Sequence, residues 1–534
     1  MKLPTSQEMQ GLDASAIKDF CIPGTVLMEN AGLGTVRMIE RQCGPCKETF
    51  SLIFVGPGNN GGDGLVIGRH LHQRDCQPIF FFLVNPDTLT GDAAINFRIV
   101  QKIKLSFYVI DTRNRVETIP ILLKELESKG QSCYAVIDAI FGIGLKRKVE
   151  SHFADTINLI NRRDFAHNAP VISVDVPSGM DSDTGKVLGA GVRANFTATY
   201  CCAKPGHFIH TGDSLTGKLE IIDIGIPPEV IQRANTKTEL STGNGFRGIA
   251  ATLSRQKTSH KGDHGHLLIL AGSPGKTGAA ILAARGGLRA GAGLVSLLTP
   301  HNLNSIYEIS LIEAMTLPLP VSSDFFQYDD IDIILQNLSG KDALVIGPGL
   351  GTEESTRQLV LHLYREANCP LILDADALNI LASCSDQIGA PAAPRVFTPH
   401  PGELGRLTGK SSAAIQNNRL EAANAACQLF KNSDHDIIVV LKGAGTLITT
   451  GDGSTVINTT GNPGMATGGM GDVLSGIIGA LICQGMSVHS AAVAGVYLHG
   501  QAGDDLFQSY GTGYSAGELA DRIPVSLKEL LAGR

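Results

Sequence analysis

The sequence predicts an α/β protein of two domains, and three observations lead there. A chain of 534 residues exceeds the ~250–300 residues at which a single core stops growing. Both halves alternate short apolar runs, glycine-rich turns and helical patterns, as strand–turn–helix units of a parallel sheet do. Between them, Pro227 to Gly248 is polar and carries little periodicity, so the boundary belongs there. The domains are expected over 1–230 and 240–534.

Composition narrows the function. Hydrophobic residues make up 43% and charged residues 18%, with a formal net charge of −7, so there is no basic footprint for nucleic acid. The start, Met1-Lys-Leu-Pro-Thr-Ser-Gln-Glu, lacks the apolar core of a signal peptide. No apolar run reaches the ~18 residues of a membrane span. The expectation is a cytoplasmic protein that binds no membrane. Its 11 cysteines are an odd, scattered set, which points to reduced thiols. Cys43-Gly-Pro-Cys46 spells a thioredoxin-type motif, but a redox pair opens a helix after a strand. Here the pair follows a helical segment and precedes the apolar run Phe50–Val55, so it reads as a connecting loop. His260, His264 and His266 lie together without a Cys or carboxylate pair to complete a metal set.

In the first half, Leu27–Met38 reads as an amphipathic helix and Ser51–Val55 as a buried strand. Gly56-Pro-Gly-Asn-Asn-Gly-Gly-Asp-Gly64 follows, then a helix over Leu65–His72. Strand, glycine loop and helix open a nucleotide-binding α/β domain. Gly56-x-Gly58-x-x-Gly61 satisfies the dinucleotide fingerprint, which also wants an acid ~20 residues on. The second strand, Pro78–Val84, is followed by Asp87, about 30 residues away, so a dinucleotide-holding dehydrogenase is poorly supported. Asn59, Asn60 and Asp63 instead set side-chain oxygens beside bare N–H groups, which suits a phosphate, a cation held by oxygens, or both. Two later strands end on acids, Tyr134–Asp138 and Val171–Asp175, the second followed by Ser178. In a parallel sheet such ends converge on one ligand-binding edge.

Four stretches then carry a resemblance: Leu27-Met-Glu-Asn-Ala-Gly32, Gly58-Asn-Asn-Gly-Gly-Asp-Gly64, Asp138-Ala-Ile-Phe-Gly-Ile-Gly144 and Asp175-Val-Pro-Ser-Gly179. In this order, within residues 10–230, they resemble the NAD(P)H-hydrate epimerases. The resemblance implies a Rossmann-like three-layer domain that interconverts the R and S epimers of hydrated NADH and NADPH, with a bound potassium ion. By motif, Asn60, Asp138 and Ser178 would ligate the ion. Asn59, Asn60, Gly61, Gly62 and Asp63 would contact substrate, as would Gly142, Ile143, Gly144, Leu145, Lys146, Arg147 and Lys148. Asp175 would also face it, as the acid–base residue.

In the second half, Leu267–Ala271 reads as a strand and Gly278–Ala290 as a helix. Further strands end in loops of unusual content: Gly347-Pro-Gly-Leu-Gly351, Asp374-Ala-Asp376, Thr398-Pro-His-Pro-Gly-Glu403 and Lys442-Gly-Ala-Gly-Thr446. Lys442 beside two glycines suits a phosphate grip, though no Walker motif is present. In Gly461-Asn-Pro-Gly-Met-Ala-Thr-Gly-Gly-Met-Gly-Asp472, five glycines fall in twelve residues ahead of an apolar run. That reads as a loop feeding a helix N-terminus, where a phosphate belongs. Asp472 at the junction either caps the helix or serves as a base beside that phosphate.

Together with Lys261-Gly-Asp-His-Gly265, Gly278-Ala-Ala280 and Arg289-Ala-Gly-Ala-Gly-Leu-Val295, these segments resemble the ribokinase-like α/β fold. They look most like its NAD(P)H-hydrate dehydratases, over roughly residues 240–530. Kinases of that fold usually carry Gly-Ala-Gly-Asp where this chain has Gly469-Met-Gly-Asp472. The resemblance implies phosphorylation of the hydrate's hydroxyl followed by loss of phosphate, with ring-nitrogen assistance. Asp472 would be the base, and Lys442, Gly443, Ala444, Gly445, Thr446 and Gly471 would hold the nucleotide. Ala279, Gly349, Gly351 and His400 would face the hydrate. The Thr258–Gly265 run looks bacterial, which implies ADP as donor, with Mg²⁺. Expected partners are NADHX, NADPHX and ADP, and further copies of the chain in a homo-oligomer. Two rivals stay open: a small-molecule kinase of the same fold, and a non-catalytic nucleotide-binding regulator.

Overall fold

The computed structural model describes the chain apart from residues 129, 163, 210, 247–251, 432–434 and 533–534. It divides into two units, Lys2–Thr238 and Glu239–Arg534.

In the first unit, seven strands form one parallel sheet: β1 (Thr49–Val55), β2 (Cys76–Phe82), β3 (Ser106–Val109), β4 (Cys133–Ala139), β5 (Val171–Val174), β6 (Phe196–Tyr200) and β7 (Lys218–Ile222). Their order is β3-β2-β1-β4-β5-β6-β7. β1 is central and buried on both faces, so it reads as a continuous apolar run. Alternate side chains serve opposite cores. Ile53, Val55, Phe80 and Phe82 pack with Leu27 and Leu65 of the helices Gly24–Cys43 and Asn59–His72. Leu52, Phe54, Phe81 and Val136 pack with Leu123 and Ile157 of Ile119–Ser128 and Ser151–Ile160. Helix, sheet and helix make the three Rossmann-like layers. The strand order reverses between β1 and β4, and in such sheets the crevice beyond that switch point takes the ligand.

Two local readings change. Asn59 and Asn60, expected in a loop, are the first residues of the helix Asn59–His72. The turn is already complete at Gly56-Pro-Gly58, and the later glycines serve close packing instead of turning. A Cβ on Gly64 would lie 2.6 Å from that of Ala139. Cys43 ends a helix and Cys46 lies in the connector to β1. Burial raises both thiols, that of Cys46 to about 11, so neither is an active thiolate.

The second unit holds β9 (His266–Leu270), β10 (Leu294–Pro300), β11 (Met315–Leu319), β12 (Ala343–Ile346), β13 (Leu371–Leu373), β14 (Arg395–Phe397), β15 (Ile437–Leu441), β16 (Thr446–Thr450) and β17 (Thr455–Asn458), with β8 (Thr238–Leu240) at one edge. The order is β11-β10-β9-β12-β13-β14-β15-β16-β17-β8. The strands from β11 to β15 in that order are parallel, and β15, β16 and β17 pair antiparallel. The architecture is ribokinase-like. The helix Met470–Cys483 is apolar nearly all round because it is buried nearly all round. It crosses Thr277–Arg289 at backbone distance: a Cβ on Gly476 would lie 1.9 Å from the Ala283 carbonyl, and one on Gly286 would lie 2.4 Å from that of Val473. Those two glycines fix where the helix tip, and with it Asp472, is presented.

Candidate active sites

In the first unit, a cavity of 680 Å³ opens at the C-terminal ends of β1, β4 and β5. Gly56 brings β1 so close to β4 that a Cβ there would lie 1.7 Å from the Ile140 carbonyl. Asn59, Asn60, Asp63, Gly142, Ile143, Gly144, Leu145, Lys146, Arg147 and Asp175 line the cavity. Gly61, Gly62 and Lys148 stand outside its lining. A Cβ on Gly61 would lie 2.4 Å from the Gly56 carbonyl and one on Gly62 would lie 2.7 Å from Met28, so both are packing glycines. Lys148 pairs at 3.1 Å with the exposed Glu150.

Asp138 and Ser178 lie behind the wall. The buried Asp138 accepts from the Ser173 hydroxyl at 2.8 Å and the Ser178 N–H at 2.9 Å, and burial raises its carboxyl. The Ser178 hydroxyl accepts from the Phe141 N–H at 2.8 Å. Asn60 differs: its buried amide oxygen and nitrogen both lack a partner among the described residues, which is costly unless a ligand satisfies them.

Asp175 has a left-handed backbone, φ +64, a strained state that functional sites concentrate. Its carboxylate accepts from the ammonium of Lys204 at 2.5 Å and from the Thr199 hydroxyl at 3.2 Å. Lys204 is 1% exposed and also reaches Thr199 at 2.8 Å and the Tyr200 carbonyl at 3.2 Å. Around this pair, Asp63 is pushed far above the carboxylate range by burial and then by Asp175. Asp13 rises to about 6 for the same two reasons, against the pull of Lys204. The reading from sequence missed Lys204 and Asp13. Asp13 left a signal, since it falls on the buried stripe of Met9 and Ala16 in the helix Ser6–Lys18.

In the second unit, four strand ends and one helix tip converge. After β13, Asp374 is 1% exposed, and Ala375 beside it has φ +48. Asp374 accepts from the Lys442 ammonium at 2.9 Å and the Thr398 hydroxyl at 2.8 Å. Glu403, in the first turn of the helix Pro401–Thr408 that follows β14, lies 3.9 Å from the same ammonium. Burial works against the charge on Lys442, but Asp374 and Glu403 outweigh it, so its pKa is raised.

Gly469, with φ +90, precedes the helix and offers no side-chain cap. A Cβ on Gly471 would lie 3.1 Å from the Lys442 nitrogen and 3.7 Å from Asp374, so that glycine lets the ammonium ride against the helix tip. Asp472 is the third helical residue and makes no cap. Burial first, and then Asp374, push its carboxyl up to about 7, while Lys442 opposes.

His400 caps the helix Pro401–Thr408, accepting at Nδ1 from the Gly402 N–H at 3.0 Å. Burial, and then Lys442, lower its pKa. The Lys442–Thr446 loop rests on Arg419, 2% exposed, which donates to the carbonyls of Leu441 at 3.1 Å and Gly445 at 3.2 Å. Gly443 and Ala444 are exposed at its tip. Ala279 packs beside Gly349, whose Cβ would lie 3.1 Å away. The Gly351 N–H donates to Asp376 at 3.0 Å, as does Lys276. Asp374, Glu403 and Arg419 are further site residues that the sequence left unassigned.

Among the described residues, no three His, Cys, Asp or Glu side chains group to hold a metal ion, and no helix is long and apolar enough to cross a membrane. His266 begins β9 and meets the Ser296 hydroxyl at 2.8 Å.

Comparison with known proteins matches both units. A family model described as YjeF-related protein N-terminus matches residues 24–206, and one described as NAD(P)H-hydrate dehydratase matches residues 267–525. A bifunctional NAD(P)H-hydrate repair enzyme of Moorella thermoacetica is 41% identical, over 99% of this chain and 97% of its own length. One from Thermofilum pendens is 36% identical, over 99% and 97%. Among solved structures, an ADP/ATP-dependent NAD(P)H-hydrate dehydratase from Bacillus subtilis, co-crystallised with ATP and Mg²⁺, is 33% identical. It covers 55% of this chain and 98% of its own, with a TM-score of 0.46.

Proposed function

The chain belongs to the bifunctional NAD(P)H-hydrate repair enzymes, and from that premise we propose how its residues divide the work. The N-terminal half epimerises hydrated NADH and NADPH, and the C-terminal half dehydrates the S epimer. We take these halves as 1–230 and 240–534.

In the dehydratase half the observation that carries the reading is the Asp472 carboxyl, held near 7 one residue from the glycine that admits Lys442. A carboxyl with a pKa close to neutrality is well matched to general-base work. Asp472 takes the proton of the hydrate's hydroxyl as that oxygen attacks the terminal phosphorus of ADP, releasing AMP. The uncapped N–H groups of the helix tip and the Lys442 ammonium stabilise charge on the transferred group. Phosphate then leaves with the C–O electron pair as the ring-nitrogen lone pair forms C=N⁺, and loss of a proton from the neighbouring ring carbon returns that pair to nitrogen and restores the ring C=C of NADH or NADPH. Gly443, Ala444, Gly445 and Thr446, propped by Arg419, hold the nucleotide. Ala279, Gly349, Gly351 and His400 face the hydrate. The bacterial look of Thr258–Gly265 supports ADP as donor. Mg²⁺ typically keeps several waters and binds phosphates plus one or two carboxylates; Asp376 and Glu403, both close enough to raise the Asp472 carboxyl, would be the carboxylates to hold it beside the nucleotide phosphates. When bound, it would neutralise phosphoryl charge.

In the epimerase half, Asp175 holds and moves the proton at the hydrate's hydroxyl, with Lys204 matching its charge. The orphaned Asn60 amide supports a potassium ion held with Asp138 and Ser178, which would fix the loop lining the pocket. The reading extends to a cytoplasmic chain that self-associates, which its mass in solution checks.

The decisive experiment follows both epimers separately in full-length protein. Asp472→Asn should abolish ADP-driven dehydration and spare epimerisation, and Asp175→Asn should do the reverse. One substitution that ended both activities would overturn the assignment of separate sites. A lasting phosphate ester in place of NADH would make the chain a kinase instead.

A further inference from the structure

Beyond these assignments, we propose that Asp13 is a second acid–base group of the epimerising pocket, working opposite Asp175. The inference rests on the reading that the first unit's cavity is the epimerising site.

Met9, Gln10, Asp13 and Ile17, one face of the helix Ser6–Lys18, line that cavity with Asp63, Asp175 and Lys204. The helix does not need Asp13 for its own ends. A Thr5–Glu8 capping box closes its start, and Ser6 is tied to Asp183 by its N–H at 2.6 Å and its hydroxyl at 2.8 Å. Among the described residues, no hydrogen bond or ion pair engages the Asp13 carboxyl. Asp63, 7% exposed, also has none. Lys204 is the buried cation of the pocket, and it is committed to Asp175, Thr199 and Tyr200. Three carboxyls therefore share one buried ammonium, and carboxylates that close cannot all ionise cheaply. Asp13 settles at about 6, able to hold or release a proton near neutrality. The other charged or titratable groups sharing the cavity are Asp63, Asp92, Tyr200, Lys146 and Arg147, besides Asp175 and Lys204.

Inversion needs a bond at the hydroxyl-bearing carbon to break and re-form on the opposite face. That carbon is bonded to the ring nitrogen. Protonated Asp13 donates to the hydroxyl, the C–O pair leaves with oxygen as water, and the nitrogen lone pair closes a C=N⁺ bond. A water then adds to the other face, the C=N⁺ pair returns to nitrogen, and the proton lost by that water passes to Asp175. One proton has moved from Asp13 to Asp175, and solvent resets it. The reverse epimerisation runs the roles backwards. Asp13, left ionised by that transfer, stabilises the cationic intermediate.

The test uses full-length Asp13→Asn, Asp13→Glu and Asp175→Asn, with the two epimers separated by chromatography between about pH 5 and 9. Thermal unfolding and the KM for each epimer check that the first unit of each variant has folded, and ADP-driven dehydration of the S epimer checks the second. Asp13→Asn should lower kcat for epimerisation ~100-fold or more and leave KM within about threefold. It should also remove the decline above about pH 6, which reports loss of the Asp13 proton. Asp13→Glu should restore part of the rate. If Asp13→Asn keeps the parent kcat and pH profile, or loses only KM, while Asp175→Asn is inactive, the Asp13 role is overturned and the pocket reading stands. If Asp175→Asn also epimerises at the parent rate, the pocket reading itself fails.

Discussion

Asp374→Asn should move the pH dependence of dehydration towards acid. Asp472 must be ionised to accept the hydroxyl proton, so kcat/KM for the S hydrate rises with pH through the free-enzyme pKa of that group, about 7. After burial, the charge of Asp374 is the largest cause of that elevation, and Lys442 pulls the other way. Asparagine matches aspartate in shape, and its amide oxygen can still accept from the Thr398 hydroxyl, 2.8 Å away in the parent. Removing a neighbouring unit charge in a medium of effective dielectric ~20 is worth on the order of 1–2 kcal/mol, about one pH unit. Removing the carboxylate also leaves Lys442 shared only between Glu403 and Asp472, which works in the same direction. The midpoint should therefore fall from about 7 to near 6.

Lys442→Met must do the opposite, raising the midpoint by about one pH unit as well as the KM for ADP. The assay is the initial rate of NADPH appearance from purified S hydrate, at saturating ADP and constant ionic strength. A uniform loss of rate does not disturb a midpoint, so a crippled variant still reports. A parent profile without an inflection between about pH 6 and 8, or two variants shifting in the same direction, would refute the placement of Asp472 as the base.

Three further outcomes follow from the same geometry. Arg419→Met strips donors from the carbonyls of Leu441 and Gly445, so the KM for ADP should rise ~10-fold or more, at ~1–3 kcal/mol per carbonyl left unpaired, while kcat changes little; an ADP titration at fixed S hydrate reads this. Replacing potassium by lithium should slow epimerisation but not dehydration, and Asn60→Ala should remove that ion dependence; equal rates in the two salts would end the proposed ligand set. Arg395→Met deletes a fully buried guanidinium that donates to the carbonyls of Tyr364, Ala367, Cys369, Ala393 and Pro394, and should cost ~3–5 kcal/mol, seen as a lower denaturant midpoint with the activity of the folded fraction kept.

What the sequence made legible was the backbone frame. Apolar runs ending on Asp138, Asp175, Gly347, Asp374 and Lys442 are strands because nothing else buries three to seven such residues between glycine turns, and a parallel sheet must bring their ends to one edge. The match of Leu371–Leu373 and Ile437–Leu441 to β13 and β15 reflects that simplicity. What stayed hidden was pairing across the fold. Lys204 in Cys-Cys-Ala-Lys-Pro and Arg419 at the head of a helix look like solvated side chains until a partner many residues away is known. Asp374 was visible as an unusual strand end, but its task, holding Lys442, exists only once β13 and β15 flank β14. The helix starts at Asn59 and Met470 were misplaced because glycines suggest loops, whereas here they let helices touch their neighbours.

The two sites put one arrangement to different ends. Each has a buried or half-buried lysine held by a carboxylate on a strand end, beside a further carboxyl that has no ion-pair partner among the described residues. In the first unit the lysine is spent on Asp175 itself, so the groups left with raised pKa are Asp13 and Asp63, and the pocket gathers carboxyl groups around a ring that must pass through a cation. In the second, the lysine is spent on Asp374, which leaves Asp472 elevated and basic while the ammonium stays beside the helix tip, where phosphate charge arrives. The direction of proton flow thus depends on which carboxylate the lysine chooses, and that choice is set by strand register. Moving the cation is the way to separate the two designs: Lys204→Met should release Asp175 from its partner and impair epimerisation, and a variant that epimerised normally would show that the pair is only structural.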